Sequence, residues 1–113
     1  MEQSIYKQLS ENIENISEYT NEIEKTEEFF LSRKINKETL DEVFWNHLIT
    51  LLERIDNDEQ NDLEMDELDE ISKEAKDLLD EYISEMNKIR NFDVNNFEKK
   101  LLSIYTQRMI QGV

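Results

Sequence analysis

The chain contains a single histidine, His47, and its position makes it the first candidate for chemistry. It lies inside a run of apolar residues that recur at three- and four-residue steps, the spacing of one helix face. The members of this stripe are Leu40, Val43, Phe44, Leu48, Leu51, Leu52 and Ile55. An imidazole changes its protonation near neutral pH and can also be a nucleophile, so His47 is a candidate for proton-linked or covalent chemistry.

Two polar neighbours favour a working role for His47. Asn46 interrupts the apolar run together with it, and Arg54 follows seven residues later on the same side of the helix. An arginine there can neutralise an anion attached to the ring, although a rise of about 10 Å requires the side chain to fold back. The alternatives are a core histidine that donates a ring proton to a carbonyl or carboxylate, and an arginine that interacts with the last carbonyls of its helix.

The composition leaves little room for other catalytic machinery. The chain has no cysteine, which excludes disulfides and zinc–thiolate sites, and one histidine excludes a pair of histidine ligands within the chain. A glycine-rich phosphate loop is excluded as well, because the chain has only one glycine. Most of the carboxylates lie on polar helix faces, where solvation is their ordinary role. We therefore predict no enzymatic activity and no cofactor.

A weaker candidate is a cation site between the second and third predicted helices. Asp56, Asp58 and Glu67 take the first, third and twelfth positions of a calcium-binding loop. Gln60 at the fifth position departs from the pattern, and Asn61 replaces the glycine that the sharp turn prefers. Because acidic residues are abundant in this chain, a chance match is the competing interpretation.

Charge and hydropathy restrict the partners. With 113 residues, 37% apolar content and a formal net charge of −15, the chain predicts one acidic domain, residues 1–113. No run approaches the roughly 18 apolar residues of a membrane span, and the polar start of the chain predicts no leader, so we expect a cytoplasmic protein. Direct nucleic-acid binding is disfavoured because that affinity comes from Lys and Arg. The acidity indicates either a basic protein partner or solubility alone.

The elements that must position His47 are predicted to be helices. Proline is absent and the only glycine is Gly112, so the chain lacks the usual breakers and hairpin turns. Four or five amphipathic helices with short links indicate an all-α helical bundle. The predicted helices are 3–32 (one long helix, or two with a kink between them), 36–55 with Asn36 as N-cap, 66–90 with Asp66 as N-cap, and a last helix after the N-cap Asp93. The apolar side of the last helix is predicted to carry Phe97, Leu101, Ile104, Tyr105, Arg108 and Met109.

Two sequence windows resemble a known family. Asn46–Arg54 resembles the first histidine motif of the phosphotransferase-system regulation domain (PRD): Asp or Asn, His, an aliphatic residue, four variable or apolar positions, an acidic or polar position, and Arg. Glu98–Tyr105 resembles the second motif, in which an acidic residue precedes a histidine by seven positions; Tyr105 replaces that histidine here. The family's domain is a helical bundle of similar length.

The resemblance implies a non-catalytic regulatory domain that is phosphorylated on His47 by the phosphocarrier protein or a sugar-specific component of the phosphotransferase system. Arg54, Asn46 and Tyr105 are then expected to support the phosphoryl group. Tyr105 can hydrogen-bond a phosphate but cannot accept a phosphoryl group as the missing histidine would, so we expect at most one phosphohistidine. The added charge of about −2 needs local compensation in so acidic a chain, and Arg54 is the candidate.

In this family phosphorylation shifts dimerisation and controls an attached nucleic-acid-binding domain. The 113 residues predict a single domain, so we expect the chain to act without an attached output domain, on a transcriptional regulator or another partner in trans. The wide apolar stripes of residues 5–31 and 68–89 are compatible with a homodimer. Two alternatives stay open: an acidic helical adaptor or inhibitor that occupies a basic, nucleic-acid-binding surface of another protein, and calcium-responsive binding through residues 56–67.

Overall fold

Helices account for all the regular secondary structure that the computed structural model describes, over residues 1–60, 63–64 and 71–112. Five α-helices and two short 3₁₀ helices follow one another within these ranges, without a strand, which confirms the predicted all-α class. The α-helices are α1 (Gln3–Asn12), α2 (Thr20–Ser32), α3 (Glu42–Asp56), α4 (Lys73–Met86) and α5 (Asn96–Gln111). None of these described helices is both long enough and apolar enough to cross a bilayer.

The first half of the chain agrees with the predicted helices in part. Of the two alternatives for the segment 3–32, the structure has two helices, which are separated because Ile13 has extended backbone angles and a 3₁₀ helix precedes α2. Asn36 is an N-cap, as predicted, but of the short 3₁₀ helix Lys37–Thr39. The N-cap of α3 is Asp41, whose carboxylate accepts a hydrogen bond from the backbone N–H of Phe44. The second predicted helix therefore begins later than Asn36.

The last two helices are also shorter than predicted. Ser72 is the N-cap of α4, and the predicted cap Asp66 lies outside the described residues. This helix ends at Met86 rather than near residue 90, and the Asn87 side chain then bonds both backbone polar groups of Phe92. The N-cap of α5 is Asn95, whose side chain accepts from the third residue of the helix, so the prediction of Asp93 was wrong.

The central helix is α3, which is buried on most of its sides. Trp45 and Ile49 are completely buried, although neither belongs to the predicted stripe. Val43 does belong to that stripe, yet it is 60% exposed. The prediction assumed one apolar face, whereas α3 is surrounded by other parts of the chain: α1 packs against it, and the ring of Phe30 from α2 meets that of Phe44.

An aromatic cluster joins α2, α4 and the segment that precedes α5. The ring of Tyr82 lies 5.0 Å from that of Phe30, 5.4 Å from Phe29 and 5.8 Å from Phe92. Its hydroxyl is 2.6 Å from the hydroxyl of Thr26, so this buried polar group has a partner. These contacts hold α2 and α4 together, and α5 also packs against α4.

The face that α5 turns to the core differs from the predicted one. Its buried residues are Glu98, Leu102, Ser103, Thr106 and Met109, so only Met109 was placed correctly. Ile104, predicted to face inward, is 45% exposed. The Thr106 hydroxyl donates to the backbone carbonyl of Ala75, which lets small polar residues pack against α4. Of the side predicted as core, Tyr105 contacts α3 and Arg108 contacts its N-cap, Asp41.

Candidate functional site

The two sequence windows that resemble histidine motifs lie against each other, because α3 and α5 run antiparallel. Asp41 near the start of α3 contacts Arg108 near the end of α5, and the two atoms are 3.0 Å apart. Further along α3, the ring of His47 stacks on that of Tyr105, with centroids 5.2 Å apart and planes inclined by 29°. At the end of α3, Arg54 reaches Glu98 in the first turn of α5. Five of these residues are called the His47 cluster below: His47, Arg54, Glu98, Tyr105 and Arg108.

A buried carboxylate stands at the centre of the cluster. The side chain of Glu98 is 0% exposed, and its Oε2 lies 3.7 Å from Nε2 of His47. Its other oxygen, Oε1, lies 3.5 Å from Nη1 of Arg54. Neither oxygen accepts a hydrogen bond from any part of the chain that the structure describes. The carboxylate therefore lies between an imidazole and a guanidinium without a hydrogen bond from the described residues.

Local hydrogen bonding explains why Glu98 points inward. It is the third residue of α5, where a glutamate commonly turns back to bond the N–H of the N-cap residue. Here the N–H of the N-cap Asn95 is already bonded, 3.1 Å from Oε1 of Gln60. The Glu98 carboxylate turns toward α3 instead, and it stays in the first turn, where the helix dipole favours a negative charge.

The environment keeps His47 in its neutral form at neutral pH. Burial lowers the pKa of His47, and the positive charge of Arg54 lowers it further. The side chain is nevertheless 16% exposed, while its Nε2 atom is buried and lacks a hydrogen-bond partner among the described residues. Solvent therefore reaches the ring elsewhere than at Nε2. The ring lies at the edge of the bundle and is not sealed inside it.

Tyr105 is also close to a second arginine, Arg108. The Arg108 guanidinium carbon lies 5.5 Å from the centroid of the Tyr105 ring. One Arg108 nitrogen, Nη2, donates both to the Asp41 carboxylate at 3.0 Å and to the Thr39 carbonyl at 3.2 Å. Burial raises the pKa of Tyr105, so its phenol stays protonated at neutral pH. The cluster thus has two cations, Arg108 beside Tyr105 and Arg54 paired with Glu98.

The predicted site residues are only partly brought together. His47, Arg54 and Tyr105 belong to one cluster, whereas the Asn46 side chain is exposed and makes no hydrogen bond or ion pair with it within the described ranges. In the sequence, Glu98 stands out only as the acidic member of the second motif, and Arg108 only as part of an apolar stripe. The signal for Glu98 was its spacing to Leu102 and Met109, four and eleven positions on, which sets the buried face of α5.

The residues of the predicted calcium loop have other surroundings. The Asp56 carboxylate is paired with the guanidinium of Arg90 and accepts a 2.8 Å hydrogen bond from the hydroxyl of Tyr19. Burial by itself would raise the pKa of Asp56, but these two hydrogen bonds outweigh it and lower the pKa below its usual value. Asp58 is exposed, and Glu67 lies outside the described residues. Across the described part of the chain, no three acidic or histidine side chains form a group that could hold a metal.

Comparisons of the chain with protein-family models, with curated proteins and with solved structures find no match.

Proposed function

We propose that this protein is a non-catalytic regulatory module whose single histidine, His47, accepts a phosphoryl group from the phosphocarrier protein or a sugar-specific component of the phosphotransferase system. One observation carries the proposal: the neutral, partly exposed imidazole of His47 stacks on Tyr105 and shares the Glu98 carboxylate with Arg54, so residues of the two motif windows meet at one place. A neutral imidazole retains the lone pair that a phosphoryl acceptor needs.

The cluster has the charges that a phosphoryl group requires. Phosphorylation adds a charge of about −2, which is costly in a chain whose formal net charge is already −15. Arg54 is 37% exposed, and its contact with Glu98 is an ion pair without a hydrogen bond. Its donors can therefore turn to a phosphoryl oxygen, and charge-assisted bonds of this kind are among the stronger ones in proteins.

The surface beside the ring offers contacts to a partner. Val43, one helical turn before His47, is 60% exposed, and Ile104, next to Tyr105, is 45% exposed. We propose that this surface passes the phosphorylation state to a transcriptional regulator or to a second copy of the chain. Sedimentation velocity at several concentrations, with and without phosphorylation, tests the second possibility; a monomer under both conditions contradicts it.

The adaptor hypothesis rests on charge and is less well supported by the structure. Several exposed carboxylates of α4 are already paired with cations of the same chain: Asp77 with Lys73, Asp80 with Lys99, and Glu81 with Arg33. An adaptor would bind its basic partner in a strongly salt-sensitive way, and the His47→Ala substitution would have little effect on that binding.

Transfer from labelled phosphoenolpyruvate through the general phosphotransferase enzymes tests the proposal. We expect acid-labile label on the wild-type chain and none on His47→Ala, since no other histidine is present. Arg54→Ala should lower the labelling, while Arg33→Ala serves as the matched control because both side chains are 37% exposed. Absence of label on the wild type, with a competent donor in the same tube, or label that survives His47→Ala, overturns the proposal.

A further inference from the structure

We infer that Glu98 is a positioning residue that directs phosphorylation to Nδ1 of His47, by holding the ring proton on Nε2. This inference rests on the proposed phosphorylation of His47. It concerns which of the two ring nitrogens reacts, which the motif resemblance leaves open.

The geometry around Nε2 carries the argument. This atom is buried and faces Oε2 of Glu98 at 3.7 Å, and the Glu98 side chain is 0% exposed. In the tautomer with its proton on Nε2, an N–H dipole points at a carboxylate that no hydrogen bond stabilises within the described structure. In the other tautomer, a lone pair would face that negative charge in a site with little solvent screening. The electrostatic energy therefore favours the proton on Nε2.

The consequence is that Nδ1 carries the lone pair. Space leads to the same result, because the 3.7 Å gap between Nε2 and Glu98 is already close to contact and leaves no room for a phosphoryl group. A phosphoryl group on Nε2 would also place its negative oxygens against the buried carboxylate.

The transfer step balances without loss of a proton from His47. The Nδ1 lone pair attacks the phosphorus of a donor phosphohistidine that is protonated on its other ring nitrogen. As the new N–P bond forms, the donor N–P bond breaks, and its electron pair returns to the donor ring, which becomes a neutral imidazole. His47 keeps its Nε2 proton, so its ring becomes a phosphorylated imidazolium. Glu98 then faces the positive charge that the ring has gained.

The tautomer can be measured on the unphosphorylated protein. Because His47 is the only histidine, long-range ¹H–¹⁵N spectra of a labelled sample contain one imidazole. In the wild type we expect a protonated Nε2 and an unprotonated Nδ1. Glu98→Gln keeps the size of the side chain and removes its charge, so a mixture of tautomers is expected. The matched control is Asp41→Asn, which removes a carboxylate paired with Arg108 and should leave the His47 tautomer unchanged. A protonated Nδ1 in the wild type overturns the inference.

The reacting nitrogen can be identified without the phosphotransferase enzymes. Potassium phosphoramidate phosphorylates imidazoles directly, and ³¹P spectra separate the two phosphohistidine isomers. For the folded wild type we expect Nδ1-phosphohistidine as the main product, at least severalfold over the other isomer, and a loss of this preference in urea and in Glu98→Gln. The wild-type result stands by itself if that variant does not fold.

The two proposals fail in distinguishable ways. Nε2-phosphohistidine on the folded wild type overturns the role of Glu98 but leaves the phosphorylation of His47 intact. A phosphoramidate product on Nδ1 without any transfer from the phosphotransferase enzymes supports the role of Glu98 and overturns the proposed function.

Discussion

The imidazole of His47 stacks on the phenol ring of Tyr105, with a centroid separation of 5.2 Å. This contact joins α3 to α5 and keeps the one histidine of the chain at the edge of the bundle. Tyr105 stands where the resembled motif has a second histidine, so an aromatic ring occupies this position without a second phosphoryl acceptor. Aromatic pairs of this kind contribute about 0.5–1.5 kcal/mol beyond the area that they bury.

Substitutions of Tyr105 should distinguish the contribution of its ring from that of its hydroxyl. Tyr105→Phe keeps the stack, so we expect a change in the free energy of unfolding below about 0.5 kcal/mol and nearly normal labelling of His47. Tyr105→Ala removes a half-buried ring that also contacts Phe44, with an expected loss of about 2 kcal/mol. Urea unfolding measures both. A large loss in the Phe variant would show that the hydroxyl, rather than the ring, holds this position.

We expect Glu98 to lower the free energy of unfolding of this protein. Its carboxylate is buried without a hydrogen bond from the described residues, which is costly, whereas its partner Arg54 is 37% exposed and stays solvated when Glu98 is replaced. We expect Glu98→Met to raise the free energy of unfolding by about 1 kcal/mol.

The matched substitution at a buried cation should have the opposite sign. Arg90 is 13% exposed and is paired with Glu22 and Asp56, so Arg90→Met leaves two carboxylates without their partner. The expected loss is about 2 kcal/mol in the same urea assay. A destabilised Glu98→Met variant would contradict the view that Glu98 is kept for a role other than stability.

The stability of the protein should fall on mild acidification because of His47. Burial and Arg54 lower the pKa of His47 below the usual value of 6.5. At a pH between the folded-state pKa of His47 and its usual value, the unfolded chain binds more protons than the folded one. The free energy of unfolding therefore falls as the pH drops through about 6.5 toward the folded pKa. His47→Gln lacks this contribution. Urea unfolding of both proteins between about pH 8 and pH 5 measures this contribution. The carboxylates titrate in both proteins, so the difference between the two free energies of unfolding isolates His47, and this difference should change with pH. A constant difference contradicts the lowered pKa.

Calcium should leave the thermal stability unchanged. Binding in the segment after α3 would require Asp56 to release Arg90 and Tyr19, so a contact of the fold would be lost as the cation is gained. Thermal unfolding in millimolar calcium, with magnesium as the control, measures this. A calcium-specific rise in the melting temperature would instead support the loop predicted at residues 56–67.

The class of the fold and part of the site could be predicted from local sequence. Apolar spacing and the lack of proline and glycine act over a few residues, and they are sufficient to predict helices and to place His47 and Arg54 on one side of α3. The helix starts were less predictable because several cap-forming residues stand close together. Asn36 and Asp41 both cap a helix, and only Asp41 begins the long one.

The remaining features depend on contacts between distant residues. Val43 is exposed and Trp45 is buried because of which sides of α3 the other elements cover, and no pattern within one helix encodes this. The burial of Glu98 likewise depends on Gln60, 35 positions before Asn95, taking the N–H that a capping glutamate would have bonded. The sequence alone therefore determined that the chain is helical and which residue is its candidate nucleophile. Only the tertiary structure decided that a buried carboxylate faces that nucleophile, because helix packing depends on the fit of whole surfaces.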